Sequence, residues 1–391
     1  ILYLVAPSGY PNYGDELIAD TWLRYLARVR PRARVILDCH SPGQAALLLR
    51  GAHPRVEFTD TLWQLSLHAP EENADAPWEW VCRAVTDLGV APRLGFGVEV
   101  LHQASTIHFL GGGYVNSVWP QHVSLFAAGA AVGRRTGARV VATGQGLIPL
   151  PDGPAGDVVR RAAQEFTVFD VRDEASARAV PGRVRHSGDD AWLALHRGAA
   201  QRYRPAGQPD PDGVVLCLQS DLTESFRGPA AAGVAALADL VRDTLDAWAV
   251  PGDRVTVVEG IPGHDYEVPH RLGDRLDGAT VLPFVDVWRR GLPAGAGQTW
   301  ISTRFHPHLM AAAAGDPGIA IAAMPGYYST KHRSLADAGS AWTLVDDGRE
   351  IPDRPVAGGF APGSVDRAVA AKRAIAGEIY PFTPSRSLRR P

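Results

Sequence analysis

The sequence predicts an α/β protein built as two doubly wound, Rossmann-like domains facing a cleft. Three observations predict it. Short apolar segments alternate with amphipathic helical segments along most of the chain, which is the pattern of βα units around a parallel sheet. The alternation runs twice, on either side of a Pro-, Gly- and polar-rich stretch at 201–213 that reads as a linker. A length of 391 residues corresponds to about two domains of roughly 100–200 residues each.

Composition fits this class. The chain is 46% hydrophobic and 21% charged, as in ordinary globular proteins that bury a large core without cross-links. A net charge of −3 argues against a general nucleic-acid binder. Cys39, Cys82 and Cys217 have no paired spacing and read as reduced thiols of a cytoplasmic protein. Neither CxxC nor HExxH occurs, so no metal site is expected. The apolar runs are strand-length, short of the roughly 20 residues of a membrane span. Lys331 and Lys372 are the only lysines among 39 basic residues. With the abundant Ala, Gly and Pro, this suggests a GC-rich bacterial coding bias. The bias weakens an argument from any single arginine and strengthens one from Lys331.

In chain order, 1–6 reads as a fully buried strand. It does not read as a signal peptide, because no charged segment precedes it and a turn follows at once. Residues 15–29 place Ile18, Trp22, Tyr25, Leu26 and Val29 on one helical face. Further strands are predicted at 34–38, 56–59, 106–110, 139–143 and 167–171, and the rhythm breaks over 180–208. The second series has strands at 214–219, 255–259, 280–282, 300–303 and 319–322, and helices at 230–248, 307–314 and 329–338. The expected domains are therefore 1–205 and 213–363, with a late helix at 365–379 packing back on the first domain and a loose tail at 383–391. Two such domains face to face make the GT-B-like arrangement, in which ligands bind beyond the carboxyl ends of the strands.

The strand-to-helix turns therefore carry the candidate chemistry. After the first strand comes Asn12-Tyr13-Gly14-Asp15-Glu16, with Asp15 a natural helix cap or, at the cleft mouth beside Asn12, a base for a hydroxyl. Gly111-Gly112-Gly113 and Thr143-Gly144-Gln145-Gly146 end two further strands. Their glycines permit close approach and offer backbone N–H groups, which makes Gly112, Gly113 and Gln145 cleft candidates. Arg172, ahead of Asp173 and Glu174, opposes the helix dipole, and a residue placed against local preference is a functional candidate. The alternative is a surface ion pair with one of those acids.

The segment Trp300-Ile301-Ser302-Thr303-Arg304-Phe305-His306-Pro307-His308 is the most telling. An apolar strand runs into Arg304, a planar fork for carboxylate or phosphate, and His306, a proton carrier near neutral pH. His308 reads as the solvent face of the next helix. Lys331 would enter the same cleft one βα unit later; the alternative is an ordinary surface lysine. His264, Asp265 and Glu267 sit in a Gly- and Pro-bounded loop and read as solvent-facing. No GxSxG, Walker A or GxGxxG stands at a strand–helix junction, which removes support from acyl-transfer, P-loop and dinucleotide readings.

Taken in order, Asn12-Tyr13-Gly14-Asp15-Glu16, Gly111-Gly112-Gly113, Gly144-Gln145-Gly146, Val171-Arg172-Asp173-Glu174, Ser302-Thr303-Arg304-Phe305-His306 and Tyr328 with Lys331 resemble the polysaccharide pyruvyl transferase family. The resemblance implies phosphoenolpyruvate as donor and a pyruvate ketal on a sugar diol as product, with phosphate released and no cofactor. It implies a cytoplasmic enzyme of cell-envelope polysaccharide biosynthesis whose acceptor is a sugar or a glycolipid or polysaccharide precursor. It places Arg304 and Arg172 at the donor, with Lys331 as a further cation. His306 is then a proton-transfer residue and Asp15 the group that activates the acceptor. Asn12, Gly112, Gly113 and Gln145 fall on the acceptor or cleft side. Phe305 stands where the family usually has Leu, Ile148 where a Gly is common, and no acid closely follows the Gly triplet. The last two departures fall in the acceptor domain. The alternatives are a GT-B glycosyltransferase using a nucleotide sugar and a non-catalytic carbohydrate-binding relic.

Overall fold

The computed structural model describes residues 1–195, 202–204, 210 and 212–382. The predicted tail at 383–391 and most of the predicted linker lie outside the described residues. The first sheet contains β1 (Leu2–Val5), β2 (Val35–Asp38), β3 (Val56–Thr59), β4 (Thr106–Phe109), β5 (Arg139–Gln145), β6 (Val168–Val171) and β7 (Val184–His186), in the order β3-β2-β1-β4-β5-β6-β7. The second contains β8 (Val214–Cys217), β9 (Val255–Val258), β10 (Thr280–Leu282), β11 (Thr299–Ser302), β12 (Gly318–Ile321) and β13 (Thr343–Val345), in the order β10-β9-β8-β11-β12-β13.

Every strand pairing in both sheets is parallel. The central strands β1, β4, β8 and β11 are buried along their whole length, because helices cover both faces. The edge strands β7 and β13 have no counterpart in the sequence reading. Each is three residues long and mostly unburied, so neither stands out as an apolar run. Strand order reverses at β1 in one sheet and at β8 in the other. The turns after β1, β4, β8 and β11 therefore open where such sheets leave a crevice.

The two halves are tightly joined. Leu17 and Ile18 share one apolar cluster with Phe305, Leu309 and Met310. The Tyr13 N–H donates to the Gly260 carbonyl at 2.9 Å, and the Trp288 indole donates to the Leu48 carbonyl at 3.0 Å. Contacts also join the halves just ahead of the expected boundary at 205. Arg202 and Arg204 exchange backbone bonds with Leu292 of the second half at 3.0 and 2.9 Å, where Gly291 leaves room for the Tyr203 backbone.

The helix Ser364–Ile379 returns to the first half, burying Ile375 and Ile379 in the cluster that holds Trp22 and Trp192. Its Lys372 is fully buried and donates to Asp170 at 2.8 Å and Asp190 at 2.9 Å. Asp190 also accepts from the Gly111 N–H, the Thr143 hydroxyl and the Trp22 indole. Asp170 accepts from the Gly144 and Ser187 N–H groups. The hydrogen bonds around all three buried charges offset the cost of removing them from water, and they fix the glycine-rich strand ends.

Candidate active site

A cleft of about 560 Å³ opens between the carboxyl ends of the two sheets. It gathers Asn12, Asp15, Gly113, Arg172, Arg304, His306 and Lys331 from five separate turns.

Each residue of the first turn has its own task. Asn12, not Asp15, caps the helix Tyr13–Val29, accepting the Gly14 N–H at 3.1 Å. Glu16 is buried and accepts from the Gly9 N–H at 2.7 Å and from the Ser8 hydroxyl, which fixes the loop. Gly14 makes room for His306, since a β-carbon there would stand 1.8 Å from His306 Nδ1. Asp15 is left to face the cleft. Burial raises its carboxyl to about 6, against the pull of His306 and Lys331.

The second half supplies the Arg304 turn. Arg304 is buried, with Nε 3.1 Å from Asp265 and Nη2 2.7 Å from Asp221. The expectation of a solvent-facing Asp265 fails. Its carboxylate is fully buried and accepts from the Gly260 and Ile261 N–H groups as well as Arg304, because a buried arginine needs a counter-charge. Arg304 is thus held in place with much of its donor capacity already used.

Arg172 differs. It is buried rather than paired at the surface, and its carboxylate neighbours Asp173 and Asp189 stand off at 3.6 and 3.8 Å. Its Nε has no hydrogen-bond partner. Its guanidinium lies 4.8 Å from the centre of the Phe305 ring, so the aromatic at this position adds a cation–π contact. Gly146 is a glycine because a β-carbon would stand 2.1 Å from Arg172 Nη2. A buried, unpaired donor marks a place where a partner is expected.

Lys331 lies on the helix Tyr328–Asp337, with Nζ 3.5 Å from the Tyr327 ring centre and 4.7 Å from that of Tyr328. Burial and the neighbouring Arg172 push its ammonium well below the ordinary lysine range. Cations gathered in a cleft favour an anion.

Asp189 was not anticipated from the sequence. It follows β7, and its Oδ1 lies 3.3 Å from His306 Nε2. Burial alone would raise its carboxyl, but His306 and Arg172 outweigh that and hold it at about 2. The only signal was the acidic pair Asp189-Asp190 after a Gly, hidden because β7 is so short.

Three other expectations are corrected. Gln145 does not reach the cleft. It is fully buried, and its amide donates to the carbonyls of Leu110 and Thr143 at 2.7 and 2.9 Å. Gly112 is likewise committed, bonded through both N–H and carbonyl to Gly144 and Gly146. The Gly-rich turns therefore brace the strand ends, and of the triplet Gly113 alone lines the cleft. His308 is not solvent-facing. It is fully buried, bonded to His332 and Ser340 and stacked on Trp342.

Among the described residues no group of His, Cys, Asp and Glu side chains is arranged to hold a metal. No helix among them is long and apolar enough to cross a membrane.

The sequence model of a family described as polysaccharide pyruvyl transferase matches residues 12–244. Comparison with curated proteins gives no match. Solved structures similar to the chain include a protein from Listeria monocytogenes assigned as a UDP-N-acetylglucosamine 2-epimerase, at 10% identity and a TM-score of 0.50, covering 97% of this chain and 95% of that one. A spinosyn rhamnosyltransferase with its aglycone is similar at 16% identity and a TM-score of 0.45, covering 97% and 92%. At such identity the first likeness carries the GT-B-like fold and nothing finer.

Proposed function

The chain belongs to the polysaccharide pyruvyl transferase family, and from that premise we propose that it transfers the pyruvyl group of phosphoenolpyruvate to two hydroxyls of one sugar. The observation that carries the reading is the meeting of Arg172, Arg304 and Lys331 with His306 and Asp15 in one cleft. Phosphoenolpyruvate carries a carboxylate and a phosphate on a three-carbon frame, and fixed cations gathered in a cleft suit it.

In this reading His306 donates a proton to the methylene carbon, and the neighbouring carbon becomes electrophilic. The first sugar hydroxyl attacks there, giving its proton to Asp15. The C–O bond to phosphate breaks, and the second hydroxyl closes the ketal. Of the two protons lost by the diol, one replaces that given to the methyl group and one leaves with phosphate. Arg172 is the principal donor anchor, because Arg304 is already engaged by Asp265 and Asp221. Asp189 accepts from His306 and sets its orientation. The acceptor is a sugar of a glycolipid or polysaccharide precursor, modified in the cytoplasm of a bacterium for its cell envelope. Phosphate release from phosphoenolpyruvate, dependent on a diol-bearing sugar, tests the reading.

A further inference from the structure

The wall of the cleft that belongs to the first half differs in chemistry from the cation cluster. From Lys331 a line of rings runs outward. Tyr327 contacts Trp119 at 5.9 Å between centres, Trp119 stacks toward His122 at 6.4 Å, and His122 lies 6.0 Å from His40. Trp119 is partly exposed to the cleft. Tyr10 and Leu67 stand at the rim with 62% and 44% of their surface exposed. The basic side chains lining the cleft, apart from imidazoles, are Arg172, Arg304 and Lys331, and Lys331, 3.5 Å from the Tyr327 ring centre, stands where the line of rings begins.

Two imidazoles of this wall, His40 and His122, add no charge to it. His122 Nδ1 donates to the Tyr114 carbonyl at 2.8 Å. Its Nε2 lone pair then accepts from the Gln121 amide at 3.4 Å. Burial lowers both His40 and His122 to about 4, so neither attracts phosphate at neutral pH.

We infer that this ring-lined wall is the acceptor subsite and that it takes an uncharged sugar, its C–H face stacked on Trp119 and its diol turned toward Asp15 and Lys331. The inference rests on the pyruvyl-transfer reading for the meaning of "acceptor", but not for the binding itself. Sugars carrying phosphate on the anomeric oxygen are excluded from this wall. The apolar rim suits an apolar aglycone or a following sugar.

The test uses the full chain and two panels, methyl hexosides and hexose 1-phosphates. Saturation-transfer NMR reports binding, and phosphate release from phosphoenolpyruvate reports turnover. Methyl hexosides bind the wild type. Trp119→Ala raises the acceptor KM about tenfold, the loss of one stacking contact, with phosphoenolpyruvate binding unchanged by calorimetry. Trp119→Phe, which keeps a ring, restores most of the affinity. Hexose 1-phosphates binding while methyl hexosides do not would overturn the inference, as would a Trp119→Ala that binds glycosides like the wild type. Glycosides that bind through Trp119 without phosphoenolpyruvate turnover would sustain the subsite and refute the donor.

Discussion

His306, carried by the second half, packs against the α-carbon of Gly14 in the first, so that a β-carbon on Gly14 would overlap its ring at 1.8 Å. The contact couples the helix start of one sheet to the residue of the other that is proposed to transfer a proton.

Gly14→Ala tests that coupling. Within the helix Tyr13–Val29, alanine alone would stabilise by about 0.5–1 kcal/mol. The added methyl must instead drive His306 off Asp189. A misplacement of roughly 1 Å can cost about 10²-fold in rate. The expected result is a fall in kcat of that order with the protein still folded, read by steady-state kinetics beside a thermal melt.

Asp189→Asn removes the charge that faces both His306 and Arg172. Loss of the oriented proton carrier is expected to lower kcat roughly 10²–10⁴-fold. The phosphoenolpyruvate KM is not expected to rise, because the carboxylate removed faces Arg172, the proposed donor anchor. A KM-dominated defect would instead make Asp189 a donor-binding residue.

With Asp15 as the proposed base, the reaction is expected to have an acid limb. Its carboxyl is raised to about 6 chiefly by burial, and the base must be ionised to take a hydroxyl proton. As pH falls through about 6 the side chain protonates, so kcat/KM falls on the acid side and levels above it. Asp15→Asn removes this limb from the residual activity. An unchanged acid limb in that variant would assign the titration to another group.

Lys372 is the stability test. Lys372→Met leaves Asp170 and Asp190 buried beside each other without their cation. Breaking such a buried network costs about 3–5 kcal/mol. Chemical denaturation is expected to show a loss of that size, with the glycine-rich turns losing protection from hydrogen exchange.

Much of this arrangement was legible in the sequence. The central strands are continuous apolar runs, and the Arg304 turn stood out because polar residues interrupt an apolar strand just ahead of an Ala-rich helix. The acids Asp189, Asp221 and Asp265 were not legible. Each sits in a loop, where no periodicity distinguishes a buried counter-ion from a solvated one. Gln145 and Gly112 were misplaced for a related reason. A Gly-rich turn looks the same whether its N–H groups face a ligand or a neighbouring strand.

The most direct test of the account is phosphate release from phosphoenolpyruvate by the wild type and by Arg172→Met, with and without diol-bearing sugars. The account predicts release by the wild type only when an acceptor is present, and a large rise in phosphoenolpyruvate KM or loss of release in the variant. No release with any diol-bearing sugar, alongside turnover of a nucleotide sugar, would contradict it.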